Sequence, residues 1–323
     1  MTQVPPPSEL PPALRPAPGR NRRFAAGLAA GGTIVAPGAY DCITARLVEK
    51  AGFPAVYVTG SGVSMSLLGA PDIGVVSFSE VLERITRIAD IVSIPIIADA
   101  DTGYGGTVNI FRTVRELERA GVSAIQIEDQ EWPKRCGHEP GRRVVSTAAM
   151  EARIRAAVAA RHDPDCKIIA RTDARTDEGI DAAIARMRCY RAAGADILFV
   201  ESPESREELA RIVREVPGPH VANMVEGGRT PVLDVAALQE LGFRIVIFPN
   251  SLTRLFAAAG RDLLDALATS GTTAGFRGPM LDHRQLWDLF DNADWVGLAD
   301  RFDPPRATPA TSASTTTSPN RAA

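Results

Sequence analysis

Three acidic side chains directly follow short apolar runs of the sequence. Asp99 and Asp101 come after PIIA, and Glu128 comes after AIQI. If the first run continues as a strand, Asp99 and Asp101 are two residues apart and point to the same face. Carboxylate oxygens without a soft ligand suit Mg²⁺ or Mn²⁺ better than zinc. The spacing therefore predicts a hard-cation site, which some of these carboxylates would reach through bound water.

A thiol is the second candidate for chemistry. Cys136 lies in the polar stretch 131–145, EWPKRCGHEPGRRVV, which is longer than most loops between a barrel strand and its helix. Lys134 and Arg135 precede it, and cationic neighbours of this kind favour proton exchange by a thiol near neutral pH. The pattern predicts a catalytic cysteine on a functional loop. Because His138 is nearby, a Cys–His hydrolase is an alternative, although no glycine pattern for an oxyanion hole follows.

Further polar residues stand where apolar runs end. In a barrel of parallel strands the carboxyl ends meet at one face, so these groups would gather there. Solvated loops also begin with polar residues, but they favour glycine, proline and serine as much as carboxylates. Arg171 supplies a planar fork that binds a carboxylate through two hydrogen bonds. The other positions are Tyr57, Thr59, Gly60, Ser61, Glu201, Asn223 and Asn250.

These residues need a scaffold in which many strand ends converge. Short β-branched runs alternate with longer amphipathic segments, and glycine follows four of the latter, which suits helix C-caps. Eight such units predict an α/β fold of the (β/α)₈ (TIM) barrel type, with a doubly wound open sheet as the alternative. The predicted strands are 33–37, 55–59, 95–98, 124–127, 167–170, 196–200, 220–222 and 244–248. Predicted helices include 79–91, 108–120, 147–161, 179–193, 206–216 and 235–241.

Composition narrows the classes of function. With 36 basic and 39 acidic residues mixed along the chain and a net charge of −3, no basic face is available for nucleic acid. No apolar run reaches the roughly 18–20 residues that span a bilayer, and no secretory signal is present, so we expect a cytoplasmic protein without a membrane partner. No GxGxxG follows the first strand, which leaves a dinucleotide site unsupported. Of three lysines only Lys134 is near a strand's carboxyl end, and it lies in the loop, which disfavours a Schiff-base aldolase.

Two tails frame the predicted barrel. Residues 1–22 are rich in proline and residues 303–323 in serine, threonine, proline and alanine, so both are expected to be disordered. The intervening residues 23–302 are expected to form one catalytic domain. The amphipathic segment 280–298, which carries Trp287 and Trp295, would follow the eighth unit as a helix. It would either close the barrel floor or contact a neighbouring subunit.

Taken together, several motifs resemble those of the isocitrate lyase/phosphoenolpyruvate mutase superfamily. They are PGAYDCITARLVEKAGFPAVYVTGSG, ADADTGYGG, IEDQ, PKRCGH, IARTDAR and ANMVEGGRTP, and they extend over most of the chain from Pro37 to about Phe302. The likeness is strongest to the short-chain branch that contains 2-methylisocitrate lyase, 2,3-dimethylmalate lyase and carboxyphosphonoenolpyruvate phosphonomutase. Glu139, where those methylisocitrate lyases carry a basic residue, and Asn250, where a small apolar residue is common, depart from the pattern.

The resemblance implies a retro-aldol lyase that releases pyruvate or another 2-oxo acid from a small carboxylate substrate. Phosphonomutase chemistry and oxaloacetate decarboxylation or hydrolysis are the alternatives. It also implies a homotetramer, a dimer of dimers, whose last helix packs on a neighbouring subunit. The residues it implies are Asp99, Asp101 and Glu128 for Mg²⁺, or Mn²⁺; Tyr57, Thr59, Gly60, Ser61, Gly137, His138, Arg171 and Asn223 for the substrate; and Cys136, Glu201, Tyr57, Arg171 and His138 for catalysis.

Overall fold

Eight parallel strands form a barrel. The computed structural model describes residues 10–15, 17–137, 141–276 and 280–303. Within these residues the strand order is 6-5-4-3-2-1-8-7, and a parallel bridge between Leu198 and His220 brings the sixth strand beside the seventh. The predicted (β/α)₈ architecture and its eight strands are confirmed, and the open-sheet alternative is wrong. The strands are β1 (Ile34–Ala39), β2 (Val56–Val58), β3 (Ile96–Asp99), β4 (Ala124–Glu128), β5 (Lys167–Thr172), β6 (Ile197–Val200), β7 (Val221–Asn223) and β8 (Ile245–Phe248).

Helices alternate with the strands around the barrel. The six predicted helices are present; the one at 235–241 has the predicted bounds, and the ends of the others are shifted. The helix predicted at 179–193 begins earlier, at Arg175, and is broken at Gly179, whose φ is 85°. None of the helices in the described part of the chain is long and apolar enough to cross a membrane. The helices are α1 (Arg20–Ala29), α2 (Cys42–Lys50), α3 (Gly60–Leu68), α4 (Phe78–Ile91), α5 (Thr107–Arg119), α6 (Thr147–Ala160), α7 (Arg175–Ala192), α8 (Arg206–Glu215), α9 (Val235–Leu241), α10 (Ser251–Ser270), α11 (His283–Leu289) and α12 (Asn292–Phe302).

The barrel interior is a packed core rather than a channel. Alternate strand residues such as Ile97, Ile169 and Ile245 point inward, and Phe24 of α1 packs with them. The opposite strand faces pack against the surrounding helices in a second cluster. Because α1 contributes to the lower part of this core, the carboxyl ends of the strands are left to form the open face, where barrel enzymes hold their active sites.

The chain ends differ from the expectation in two respects. Ordered helical structure already occurs at Pro12–Leu14 and from Arg20 onward, inside the stretch expected to be a disordered tail. The segment expected to be a single C-terminal helix is two helices, α11 and α12, because the backbone turns at Asp291 with a φ of 54°. Residues 1–9 and 304–323 lie outside the described residues.

Candidate active site

The carboxylates predicted to hold a cation do converge, although not for the predicted reason. β3 ends at Asp99, and Asp101 lies beyond it in a turn with a φ of 49°, so strand alternation does not align the two. The turn instead folds back, and the Asp101 backbone N–H donates to Asp99 Oδ1 at 3.1 Å. A Cβ placed at Gly60 would lie 3.0 Å from Asp99 Oδ2 and 3.3 Å from Asp101 Oδ1. Both carboxylates therefore face the first residue of α3.

The acidic cluster is buried and partly neutralised by one lysine. Lys134 Nζ lies 2.5 Å from Asp72 Oδ1 and 2.6 Å from Asp101 Oδ1. Burial raises the pKa of Asp101 to about 6; Lys134 opposes this shift, and the neighbouring Asp99 and Asp72 reinforce it. Burial also raises the pKa of Glu128 well above its usual value. The cluster is therefore short of positive charge, even with Lys134 in place.

The donor set fits a hydrated divalent cation. Among the described residues, Glu128 Oε1 is buried without a hydrogen-bond partner, and Asp101 Oδ1 has the ion pair with Lys134 but no hydrogen bond of good geometry. Across the described ranges, no three His, Cys, Asp or Glu side chains stand close enough to enclose a metal directly. Mg²⁺ keeps several of its waters and is commonly bound through one or two carboxylates. Asp99, Asp101 and Glu128 match that mode of binding.

A buried arginine lies beside the acidic cluster. Arg171, on β5, has its Nε 3.4 Å from Glu128 Oε2 and its NH2 3.4 Å from Glu201 Oε2. Burial disfavours the guanidinium, but Asp173 and Glu201 outweigh it and raise the pKa of Arg171 well above its ordinary value. Asn223, on β7, donates from Nδ2 to Glu201 Oε2 at 3.0 Å. Its own Oδ1 is buried, with no hydrogen-bond partner in the part of the chain that the structure describes. β5, β6 and β7 thus bring a permanent cation, a carboxylate and an amide to one place.

Tyr57 and Gln126 support the cluster from inside the barrel. The Tyr57 hydroxyl donates to Gln126 Oε1 at 3.1 Å, and Gln126 Nε2 donates to Asp99 Oδ1 at 3.1 Å. Burial, with Asp99 nearby, raises the pKa of Tyr57 well above 10. Tyr57 is therefore a neutral phenol at physiological pH. Thr59 caps α3 by accepting a hydrogen bond from the Gly62 N–H, which fixes the turn that carries Gly60 and Ser61.

The loop after β4 places the cysteine over the same pocket. Gln130 holds Arg135 at both its backbone N–H and its carbonyl, each at 2.9 Å. Gly137 packs directly on the site, because a Cβ there would lie 2.4 Å from Arg171 NH2 and 3.0 Å from Glu201 Cδ. Cys136 lies between these two anchored residues. His138 is outside the described residues, so its predicted role stays a prediction.

Most of the predicted site residues line one pocket at the carboxyl ends of the strands. Asp101, Glu128 and Gly60 lie behind it, around Asp99. Two residues of the cluster were not predicted to contact the carboxylates, Lys134 and Gln126. The position of Lys134, two residues before Cys136, was the available sequence signal for its role. Asp72, which pairs with Lys134, also lines the pocket. The pocket is lined by Tyr57, Thr59, Ser61, Asp72, Asp99, Cys136, Gly137, Arg171, Glu201, Asn223, Val225, Ile247, Pro249 and Asn250.

Known proteins share this sequence and architecture. Residues 24–268 match the family model described as phosphoenolpyruvate phosphomutase. The chain is 50% identical to 2,3-dimethylmalate lyase of Eubacterium barkeri over 79% of its own length and 89% of that protein. It is 42% identical to 2-methylisocitrate lyase of Aeropyrum pernix over 81% of its length and 84% of that protein.

Solved structures agree with the sequence relatives. A 2,3-dimethylmalate lyase superposes with a TM-score of 0.83 at 37% identity, covering 87% of this chain and 95% of that one. An oxaloacetate acetylhydrolase bound to 3,3-difluorooxalacetate gives 0.82 at 34% identity, with 90% and 97% covered. A phosphonopyruvate hydrolase in complex with oxalate and Mg²⁺ gives 0.79 at 30% identity, with 88% and 99% covered. The barrel, the acidic strand ends and these matches establish that the chain belongs to the phosphoenolpyruvate mutase/isocitrate lyase superfamily.

Proposed function

We propose that this protein is a magnesium-dependent carbon–carbon lyase that cleaves a 2-hydroxy acid of the 2,3-dimethylmalate or 2-methylisocitrate type. The products would be pyruvate, or another 2-oxo acid, and a second carboxylate. The observation that carries the proposal is that Cys136, Arg171 and Asp99 line one pocket. That pocket thus combines a proton donor, a carboxylate-binding cation and the edge of a hard-cation site. The two relatives named for these lyase activities support the choice of reaction.

Substrate binding follows from the charges of the pocket. Arg171 remains a cation and lines the pocket, so it would bind the carboxylate next to the carbon that is oxidised. Asn223 and the N-terminal turn of α3 at Gly60 and Ser61 would supply further donors. A bound divalent cation would polarise the substrate's 2-oxygen and its adjacent carboxylate. Tyr57, as a neutral phenol, would contribute a hydrogen bond rather than a charge.

Bond cleavage needs a proton acceptor at one end and a proton donor at the other. Transfer of the 2-hydroxyl proton to a basic group of the pocket lets the electrons of the O–H bond form the carbonyl of the 2-oxo acid, while the electrons of the carbon–carbon bond move to the departing fragment. That fragment leaves as a carbanion stabilised by its own carboxylate. Cys136 would protonate it, since the thiol borders the pocket that holds Arg171 and Glu201. Glu201, to which Asn223 donates a hydrogen bond, would lie beside the reacting group.

Assembly is part of the proposal. α10 has no buried side chain, and it exposes Leu255, Phe256, Leu264 and Leu267. Val35 and Pro37, on the outer side of β1, are also only partly covered. Apolar surface of this kind marks an interface, and copies of one chain usually pair symmetrically. We propose a homotetramer, a dimer of dimers, in which the C-terminal segment 280–298, which exposes Trp287 and Trp295, packs on a neighbour together with α10. Sedimentation equilibrium measures the mass of the assembly. A cytoplasmic location is proposed because the four cysteines form no disulfide with one another.

A substrate panel tests the activity. Purified protein is mixed with 2,3-dimethylmalate, 2-methylisocitrate or oxaloacetate, with Mg²⁺ or with EDTA, and pyruvate is followed by lactate dehydrogenase and NADH. We expect Mg²⁺-dependent pyruvate from at least one of the first two acids. No pyruvate from either acid, with oxalate and acetate formed from oxaloacetate, would instead favour the hydrolase seen among the structural relatives. Phosphinate formation from carboxyphosphonoenolpyruvate would favour the mutase.

A further inference from the structure

A second arginine lies behind Arg171, on the loop that carries the cysteine. Arg142 is 3% exposed, although it belongs to a long polar loop. Its NH1 lies 2.6 Å from Asp173 Oδ1, and its NH2 donates to Thr176 Oγ1. The next residue, Arg143, has a side chain that is 81% exposed and pairs with Glu131 at the surface. The loop therefore buries one of two adjacent guanidiniums against specific polar partners.

Asp173 is shared between Arg142 and the substrate-binding arginine. It accepts from Arg171 Nε at Oδ2 and from Arg171 NH2 at Oδ1, both at 2.9 Å. Oδ1 therefore contacts both guanidiniums. Burial would raise the pKa of Asp173, but Arg171 and then Arg142 outweigh it and lower that pKa. The bidentate contact fixes the plane of Arg171, and Arg142 takes part of the negative charge that would otherwise neutralise it.

The carboxylate itself is held rigidly from the barrel side. The Asp173 backbone N–H donates to Asp129 Oδ1 at 2.9 Å, and Asp129 Oδ2 accepts from Thr172 Oγ1 at 2.6 Å and from Tyr190 at 2.7 Å. All of these groups are buried. Asp173 is therefore a fixed acceptor, and the contact forms only when the loop places Arg142 beside it.

Hydrogen bonds join the two arms of the loop, residues 129–137, which carry Cys136, and residues 141–145, which carry Arg142. The Glu131 N–H donates to the Arg143 carbonyl at 2.8 Å, and the Val145 N–H donates to the Asp129 carbonyl at 2.8 Å. Gln130 on the first arm holds Arg135, next to Cys136. A Cβ placed at Gly141, next to Arg142, would lie 3.0 Å from Arg135 NH1, next to Cys136. Seating of Arg142 on Asp173 thus fixes the second arm, which is joined to the arm that carries the cysteine.

We propose that Arg142 is a positioning residue, which through Asp173 holds the guanidinium of Arg171 for the substrate's carboxylate and keeps the Cys136 segment seated over the pocket. The inference rests on the proposed function for its catalytic consequence. Its consequence for ligand binding does not depend on turnover. A displacement of about 1 Å in such a supporting contact can cost on the order of 10²-fold in rate, which sets the scale of the effect.

Three variants test this role, with Arg143→Gln as the matched surface control. Oxalate, a planar dicarboxylate that can be measured without turnover, is titrated by calorimetry in Mg²⁺, and kcat and KM are measured on the best acid of the panel. Arg142→Gln is expected to weaken oxalate about tenfold and to lower kcat/KM about 10²-fold, with changes in both kcat and KM. Arg142→Lys, which restores a charge but only a single point contact, should recover part of the oxalate affinity. Arg143→Gln should stay within about twofold of wild type.

Arg142→Gln with the oxalate affinity and kcat/KM of Arg143→Gln, at equal folded fraction by circular dichroism, would overturn the proposal. The proposal would also fail if the loss of activity matched only a loss of folded protein and Arg142→Lys were no better than Arg142→Gln. If the wild type binds oxalate with Mg²⁺ but cleaves no acid of the panel, the proposed reaction fails. The oxalate affinities of the variants then still decide the role of Arg142.

Discussion

Among single residues, Cys136 carries the most specific chemical expectation. It lies between Arg135, which Gln130 fixes through the backbone, and Gly137, which packs on Arg171 and Glu201. Contacts of the residues on both sides thus deliver the thiol to the pocket. Its exchange should affect chemistry more than folding.

Cys136→Ser should lower kcat by about 10²–10⁴-fold, because a serine hydroxyl is a much weaker acid than a thiol and general acid catalysis contributes about that much. Substrate KM should change little, since Arg171 and the cation site are untouched. Steady-state pyruvate release measures both constants. Cys189→Ser, on α7 away from the pocket, is the control and should keep full activity. Equal activity of the two variants would remove Cys136 from the mechanism.

Gly137 offers a second test at the residue scale, because a side chain there would clash with the site. A methyl group at Gly137 would lie 2.4 Å from Arg171 NH2, so Gly137→Ala must displace either the loop or the arginine. We expect kcat/KM to fall at least about tenfold, while overpacking lowers the free energy of unfolding by about 1–3 kcal/mol. Gly32→Ala is the control, because nothing lies within 4 Å of a Cβ there. Unchanged kinetics in Gly137→Ala would show that the loop does not sit on Arg171.

Among the secondary-structure elements, the strand ends carry the site residues and the helix ends are tied to the strands that follow them. His220, directly before β7, contacts the end of α8 in this way. The ring is fully buried, its Nδ1 has no hydrogen-bond partner among the described residues, and its Nε2 lies 2.7 Å from the Val216 carbonyl. Burial lowers the pKa of His220; the hydrogen bond to the Val216 carbonyl opposes this shift, and the weaker repulsion of Arg191 adds to it. The imidazole is therefore neutral in the folded protein.

This neutral ring should make the fold sensitive to acid. An unfolded histidine with a pKa of about 6.5 takes up a proton that the buried ring refuses, so stability is full above about pH 6.5 and falls as the pH drops below it. The loss can approach about 1.4 kcal/mol per pH unit for one group. Urea unfolding at two pH values should show a smaller acid-induced loss in His220→Gln than in wild type. Identical losses in the two proteins would mean that His220 is not the responsible group.

How far the sequence predicts these elements depends on the range of the interactions. The eight strands follow from local runs of β-branched residues, and the gathering of Asp99, Arg171, Glu201 and Asn223 follows from the rule for parallel strand ends. The left-handed turn at Asp101 was not predicted. A strand that continued through Asp101 would also bring the Asp99 and Asp101 side chains to one face, so the spacing gave no sign of a turn. The roles of Lys134 and Arg142 were missed because both depend on how a long loop folds back, which no local pattern encodes.

At the scale of the whole molecule, the C-terminal helices are tied to the far end of the chain. Asp291, in the turn between α11 and α12, pairs with Arg46 and, at 2.5 Å, with Lys50, both on α2. Arg46 is 3% exposed, so its charge depends on this contact and on Glu49. The pair joins residues 245 positions apart, which explains why the sequence did not reveal it or the break between the two helices.

Asp291→Asn should therefore loosen the C-terminal helices. Removing one partner of a buried ion pair lowers the free energy of unfolding by roughly 3 kcal/mol. The loss should be smaller here, because the Lys50 side chain is 44% exposed and water can solvate its charge. Asparagine tolerates the left-handed backbone at this position, so the effect reports the charge. Limited trypsin digestion followed by mass spectrometry should release the α11–α12 segment sooner than in wild type. Asp294→Asn, at an exposed site, should digest as wild type does; equal rates for both variants would argue against the anchor.

One measurement addresses the reaction itself. Proton NMR of the protein with 2,3-dimethylmalate and Mg²⁺, repeated with EDTA, follows the substrate and both products in one sample without a coupling enzyme. Equal amounts of pyruvate and propionate, appearing only with Mg²⁺ and at a rate that Cys136→Ser reduces at least about 10²-fold, are expected from the lyase. If dimethylmalate and methylisocitrate both stay intact under these conditions, carbon–carbon cleavage is not the function of this pocket.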